Sequence, residues 1–160
     1  MKITFTPIGI IHSPFHTLTE MPIQPTGKAS RPGIVEVYPE FAPALKDLDG
    51  FSHIYLLYYF HRVQQVELTV VPFMDTQPRG LFATRAPRRP NPIGLSLVEL
   101  VRVDENRLHI ANLDVLDGTP LLDIKPYIPE FESAQGIRIG WVEQAKGRVR
   151  HKKADSRFVE

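Results

Sequence analysis

Residues 82–96 read FATRAPRRPNPIGLS, with Arg85, Arg88 and Arg89 interleaved among Pro87, Pro90 and Pro92. Each residue before a proline is pushed toward extended or turn geometry. A backbone so constrained loses little entropy when it binds something. Arginine supplies a planar fork that matches a carboxylate or a phosphate. Together these features describe a preorganised loop for holding anions. The same residues also describe a rigid surface connector with solvated arginines. Gly94, just after Pro92 and Ile93, suits a tight turn or a close backbone approach.

A second dense stretch runs from Leu113 to Phe131, LDVLDGTPLLDIKPYIPEF. Asp117-Gly118 is a turn signal, and Pro120 cannot donate to a ladder. A loop of Asp, Gly, Thr and Pro presents a carboxylate, a hydroxyl and bare backbone amides. Those groups suit a nucleoside or an amino-acid moiety; they equally suit an ordinary hairpin turn. Lys125 and Tyr127 are two apart, so an extended segment aims both to one side. Each has a polar tip that can move or position a proton. The alternative for Tyr127 is a ring packed in the core with its hydroxyl satisfied.

Other chemistries find no support. The chain has no cysteine, which excludes disulfides, thiolate metal sites and a cysteine nucleophile. No GxGxxG follows a strand, and neither GxxxxGK[ST] nor HExxH occurs. His53 and His61 are eight apart on one expected strand, about 26 Å, so they cannot share a metal. Ser52 and His53 are strand neighbours that point to opposite faces and form no dyad; His53 is expected as a satisfied histidine in or near the core. Net charge is only +1 over 160 residues. Basic residues nevertheless cluster at Arg79–Arg89 and at Lys146–Lys153, and local patches matter more than net charge to an anionic partner.

Fifteen prolines and ten glycines leave few windows for a long helix. Short strands separated by turns point to a sandwich or barrel in one domain. The expected strands are Ile3–Phe5, Ile8–Ile11, Gly33–Val37, Ser52–His61, Val66–Val71, Ile93–Val103, Arg107–Val115 and Ile137–Val142. Ser52–His61, apolar on both faces, is the central one. A short helix is expected over Pro39–Leu48, with Phe41, Leu45 and Leu48 on one stripe, and a weaker one near Ala145. Phe15–Pro32 reads as an irregular loop long enough to be functional. Residues 150–160 read as a solvated tail. The start of the chain lacks the design of a signal peptide, and the longest apolar run, Ile54–Phe60, is too short to span a bilayer. A cytoplasmic location is the expectation.

The runs IGIIHSPF, GFSHIYLLYYFH, RGLFATRAPRRPNPIGLSLVEL and LDVLDGTPLLDIKPYIP occur in that order over about residues 6–130. This pattern resembles the TrmO (TsaA-like) family. The resemblance implies a mainly β, single-domain barrel with short helices and long proline-rich loops, not a Rossmann sheet. The barrel domain is expected over 1–145 and a basic C-terminal tail over 146–160. The resemblance also implies an S-adenosylmethionine-dependent tRNA methyltransferase. Its target is N6 of threonylcarbamoyladenosine, next to the anticodon, and it works as a homodimer without a metal. Cofactor contacts carry over onto Pro25, Thr26, Gly27, His61, Arg62, Arg85, Leu95, Leu113, Asp114, Asp117, Gly118, Thr119 and Pro120.

For the acceptor, Lys125 and Tyr127 are the expected catalytic pair, and Arg88 and Arg89 the expected substrate contacts. The chain departs from the family in two respects. Ala86 stands where serine often follows FATR, and longer bacterial members carry a further C-terminal domain. The basic run Lys146–Lys153 is the candidate replacement for tRNA docking. Two other readings remain: methyl transfer to a different RNA position or a small molecule, and a non-catalytic RNA-binding barrel whose loops are plain turns.

Overall fold

A computed structural model describes residues 1–21 and 31–145 of the chain. Among the described residues eight strands form: β1 Gly9–His12, β2 Arg31–Val37, β3 His53–Tyr59, β4 Thr69–Val70, β5 Arg79–Gly80, β6 Ile93–Asp104, β7 Arg107–Leu113 and β8 Thr119–Pro126. Six close into a barrel in the order β1-β2-β7-β6-β3-β8, every neighbour antiparallel. Closure removes the free edges that an open sheet would expose. The other two, β4 and β5, make a separate ribbon.

The strands alternate as half-buried strands must. In β3, Ile54, Leu56 and Tyr58 are buried, while His53, Tyr55 and Leu57 face outward and are half-buried. Val35, Val37, Val98, Leu108 and Ile110 join them inside. One barrel end is closed by a 3-10 helix, Pro39–Leu45, whose Leu45 is buried and whose Phe41 packs on the core with Leu48. The apolar stripe expected over Pro39–Leu48 is therefore present. The helix is 3-10 rather than α; Pro43 sits inside it and cannot donate an α-helical bond.

Other expectations are corrected. Ile3–Phe5 forms no strand; Ile3 and Phe5 are exposed. Val66–Val71 reduces to the two residues of β4, and Ile137–Val142 gives way to a 3-10 helix, Gly140–Ala145. Conversely, Thr119–Pro126 is a full strand despite Pro120, which lies near its start opposite Ile10, a place that tolerates a missing N–H. Ser52 precedes β3, and its hydroxyl meets His53 Nδ1 at 2.9 Å, so these neighbours do touch. His61 lies in the turn beyond the end of β3. No helix of the described residues is long and apolar enough to cross a membrane.

Candidate active site

The barrel end opposite the Pro39–Leu45 helix is where β1, β3 and β7 finish and β2, β6 and β8 begin. Loops gathered there enclose a cavity of about 850 Å3. Ligand sites commonly run to about 300–1,000 Å3. Both sequence motifs reach it. Thr84, Arg85, Ala86 and Arg89 come from the proline-rich loop; Asp114, Leu116 and Thr119 come from the second.

The proline-rich loop is fastened along its length. Leu81 N–H donates to Leu68 O at 2.9 Å, and Ala86 packs into a small core with Val70 and Leu81. Thr84 Oγ1 donates to Leu81 O and accepts from Ala86 N–H. Arg89 curls back and presents one nitrogen to the carbonyls of Thr84 (3.0 Å), Ala86 (3.3 Å) and Leu81 (3.5 Å). Its guanidinium carbon also lies 5.6 Å from the Phe82 ring centre. Arg88 turns away from the cavity lining and pairs with Glu67. Trp141 Nε1 donates to Ala83 O at 2.8 Å, and its ring carries Arg79. Arg85 differs: among the described residues its side chain makes no hydrogen bond or ion pair. It acts through space on Asp114 and Tyr58.

Asp114 follows the last residue of β7. Asn112, the penultimate residue of β7, has a left-handed φ of 62°, a conformation that asparagine tolerates. Leu113 is then fully buried and belongs to the core, and Asp114 lines the cavity. Asp114 Oδ1 accepts a 2.5 Å hydrogen bond from Ser96 Oγ. Ser96 is 2% exposed and stands 2.9 Å from the Tyr58 hydroxyl. Because Ser96 gives its proton to Asp114, Tyr58 donates to Ser96. Burial is the main cause that raises the Asp114 carboxyl to about 7; the Ser96 bond, a hydrogen bond from its own backbone N–H and the Arg85 charge oppose it. Burial, then Asp114 itself, hold the Tyr58 hydroxyl well above its usual range.

His61 and Arg62 occupy a turn closed by Val63 N–H to Phe60 O, while Phe60 N–H holds Pro92 O at 2.8 Å. Burial, helped by the adjacent Arg62 charge, lowers the His61 pKa, so the ring is neutral at pH 7. Thr119 Oγ1 donates to Leu116 O and lies 3.4 Å from His61 Nδ1.

Of the expected site residues, His61, Arg62, Arg85, Arg89, Leu95, Asp114 and Thr119 line this one cavity. Pro25, Thr26 and Gly27 lie outside the described residues. Asp117 is not in the lining. Its carboxylate accepts from Ser13 N–H and lies within 4 Å of His12 and His16, and its N–H donates to Phe15 O. It ties the second loop to the end of β1. Gly118 adopts φ 75° at that turn, and Pro120 belongs to β8. Lys125 pairs with Asp123 at 2.8 Å and stands opposite Tyr55 on the outer wall. Tyr127 packs edge-on against His53 and Tyr55. The structure does not bring Lys125 or Tyr127 to the cavity lining. Tyr58 and Ser96 were not singled out by sequence reading. The available signal was Ser96 itself, a lone hydroxyl on the inward phase of IGLSLVEL.

Known proteins resemble this chain over most of its length. Residues 10–133 match the tRNA-methyltransferase O N-terminal domain. A probable S-adenosyl-L-methionine-binding protein of Pyrococcus abyssi is 51% identical over 99% of this chain and 86% of its own length. The tRNA (adenine(37)-N6)-methyltransferase of Escherichia coli is 38% identical over 88% of this chain and 64% of its own. The crystal structure of TrmO from Pseudomonas aeruginosa superposes with a TM-score of 0.72 at 38% identity, covering 88% of this chain and 63% of that one. The chain thus spans somewhat less than two thirds of that solved protein. With the family model matching residues 10–133, the chain belongs to the tRNA-methyltransferase O family.

Proposed function

We propose that this chain transfers a methyl group from S-adenosylmethionine to N6 of a threonylcarbamoyladenosine beside the anticodon of tRNA. The observation that carries this reading is the convergence of the two motif loops on one cavity. The E. coli relative is named for adenine-37 N6 methylation, which supports the adenine acceptor. The threonylcarbamoyl group is our refinement, and the family resemblance supports it.

The donor set suits the cofactor. The cavity combines an arginine with no hydrogen-bond partner among the described residues, a threonine hydroxyl, a neutral imidazole and apolar walls that include Leu95 and Leu116. A sulfonium cofactor with a carboxylate, ribose hydroxyls and an adenine ring calls for such a mixture. S-adenosylmethionine, when bound, supplies an electrophilic methyl group that needs no metal or covalent enzyme intermediate. Arg85 faces its carboxylate. Leu95, His61 and Thr119 hold its nucleoside. The edge of Arg89 not committed to carbonyls faces the threonyl carboxylate. Holding the reactants in line is the protein's main contribution, on the order of 7–11 kcal/mol.

We also propose that the chain is a homodimer in the cytoplasm. Exposed apolar side chains on the barrel strands, away from the cavity, support the dimer: Val101 is 59% exposed and Tyr59 41%.

The test is mass spectrometry of nucleosides after incubation of the protein with S-adenosylmethionine and two tRNA pools, one carrying and one lacking the threonylcarbamoyl group. Methylated threonylcarbamoyladenosine is expected only from the first. Equal methylation of both pools, or of neither, overturns the acceptor.

A further inference from the structure

We propose that Asp114 is the group that takes the proton from the acceptor nitrogen, with Ser96 and Tyr58 as the positioning residues that hold it to that task. The inference rests on the acceptor proposed above.

The reaction itself demands a proton acceptor. The N6 lone pair of a carbamoylated adenine is delocalised into the ring and into the carbonyl, so the nitrogen attacks poorly while it keeps its hydrogen. In the balanced step the N6–H bond breaks and its proton passes to an Asp114 carboxylate oxygen. The N6–carbon bond forms as the sulfur–carbon bond breaks, and that electron pair stays on sulfur as a neutral thioether. Asp114 then releases the proton to water once the products leave.

Three features mark Asp114 for this role. It lines the cavity beside the loop that carries Arg85. Its Oδ1 is fixed by the 2.5 Å bond from Ser96, which Tyr58 backs at 2.9 Å, so the carboxyl is held in one orientation at the cavity. Among the described residues no cation forms an ion pair with it, and so no partner pins it in the charged state. The titratable groups near it are Tyr58 from β3 and Arg85 from the proline-rich loop; His61 and Arg62 line the same cavity. Tyr58 is held protonated by burial. Arg62, beside His61, opposes a second proton there. Asp114, raised to about 7, exchanges its proton near neutrality, where a general base works best.

The test uses the full chain with Asp114→Asn, which keeps an oxygen for Ser96, and Ser96→Ala. Single-turnover methyl transfer to threonylcarbamoyl tRNA is measured against pH, and S-adenosylhomocysteine affinity by calorimetry. Carboxyl 13C titration of Asp114 is followed without any ligand. Asp114→Asn is expected to bind the nucleoside like wild type and to lose about 10²–10⁴ in rate. Ser96→Ala removes a bond that favours the charged carboxylate. Both the acid limb of its rate profile and the 13C midpoint are expected to move to higher pH. A wild-type rate in Asp114→Asn overturns the assignment, and so does loss of nucleoside binding in step with rate, which makes Asp114 a cofactor ligand. An unmoved midpoint in Ser96→Ala overturns the positioning role. If wild-type protein binds the cofactor but leaves the threonylcarbamoyl nucleoside unmethylated, the acceptor falls and this inference with it. The wild-type control separates that outcome from the others.

Discussion

The arginines in the proline-rich loop are chemically alike, yet the structure sets them to different tasks. Arg89 gives one nitrogen to three backbone carbonyls, and Arg88 closes on Glu67. These are the bonds that make the loop stiff. Arg85 has no such bond among the described residues and faces the cavity. Replacing Arg89 by Ala leaves those carbonyls short of a donor, at about 1–3 kcal/mol, and melting is expected to fall by several degrees in a thermal scan. Arg85→Ala is expected to melt with wild type while cofactor affinity drops about ten- to a hundredfold, the scale of one charged hydrogen bond. Equal melting losses in the two variants would contradict this division. Asp114 has a stability signature as well. Its carboxyl lies at about 7 in the fold against an ordinary 3.8. As pH rises from 3.8 to 7 the unfolded chain loses that proton while the folded one keeps it, so the fold loses stability through that window. Asp114→Asn, neutral throughout, is therefore expected to melt above wild type at pH 8 and level with it at pH 3.5.

At the scale of elements, the site depends on the antiparallel pairing of β3 with β6. Gly94 lies opposite Tyr58, and a Cβ there would meet the Tyr58 ring at 2.1 Å. The missing side chain is what lets Tyr58 lie across the strand and reach Ser96. Gly94→Ala is expected to cost about 1–3 kcal/mol by overpacking and to cost much less in a Tyr58→Ala background, a coupling that paired thermal melts measure. The same pairing shows what the sequence could reveal. The β2, β3, β6 and β7 segments are plain in it because their apolar residues alternate or run continuously. The pairing of Tyr58 with Ser96 is not, because it depends on register between strands 38 residues apart. Pro120 misled by local rule: a proline argues against a strand, but next to a strand's start its missing N–H does no harm. Ile137–Val142 misled by composition, its apolar residues being placed on a 3-10 turn beside the loop. Asp117 attracted a ligand role as the centre of a turn, but its carboxylate ties that turn to the end of β1; three residues earlier, Asp114 lines the cavity just past the end of β7.

For the whole molecule, the proposed reading puts the cofactor and one nucleotide at the cavity, while a tRNA offers many phosphates beyond it. Arg62, Arg85 and Arg89 stand at the cavity, and residues 146–160 add Lys146, Arg148, Arg150, Lys152, Lys153 and Arg157 against Asp155 and Glu160. Contacts of this kind displace counterions, so affinity falls as salt rises, with a slope of roughly 0.7–0.9 for each phosphate neutralised. A chain ending at Ala145 keeps every strand of the barrel. It is expected to bind the cofactor as the full chain does, to bind tRNA more weakly at low salt, and to show a shallower dependence of log affinity on log salt. Titration of both proteins with labelled tRNA from about 50 to 200 mM salt measures that slope. An unchanged slope would return tRNA docking to the barrel arginines alone, and charge reversal at Arg62 would then be expected to carry the loss.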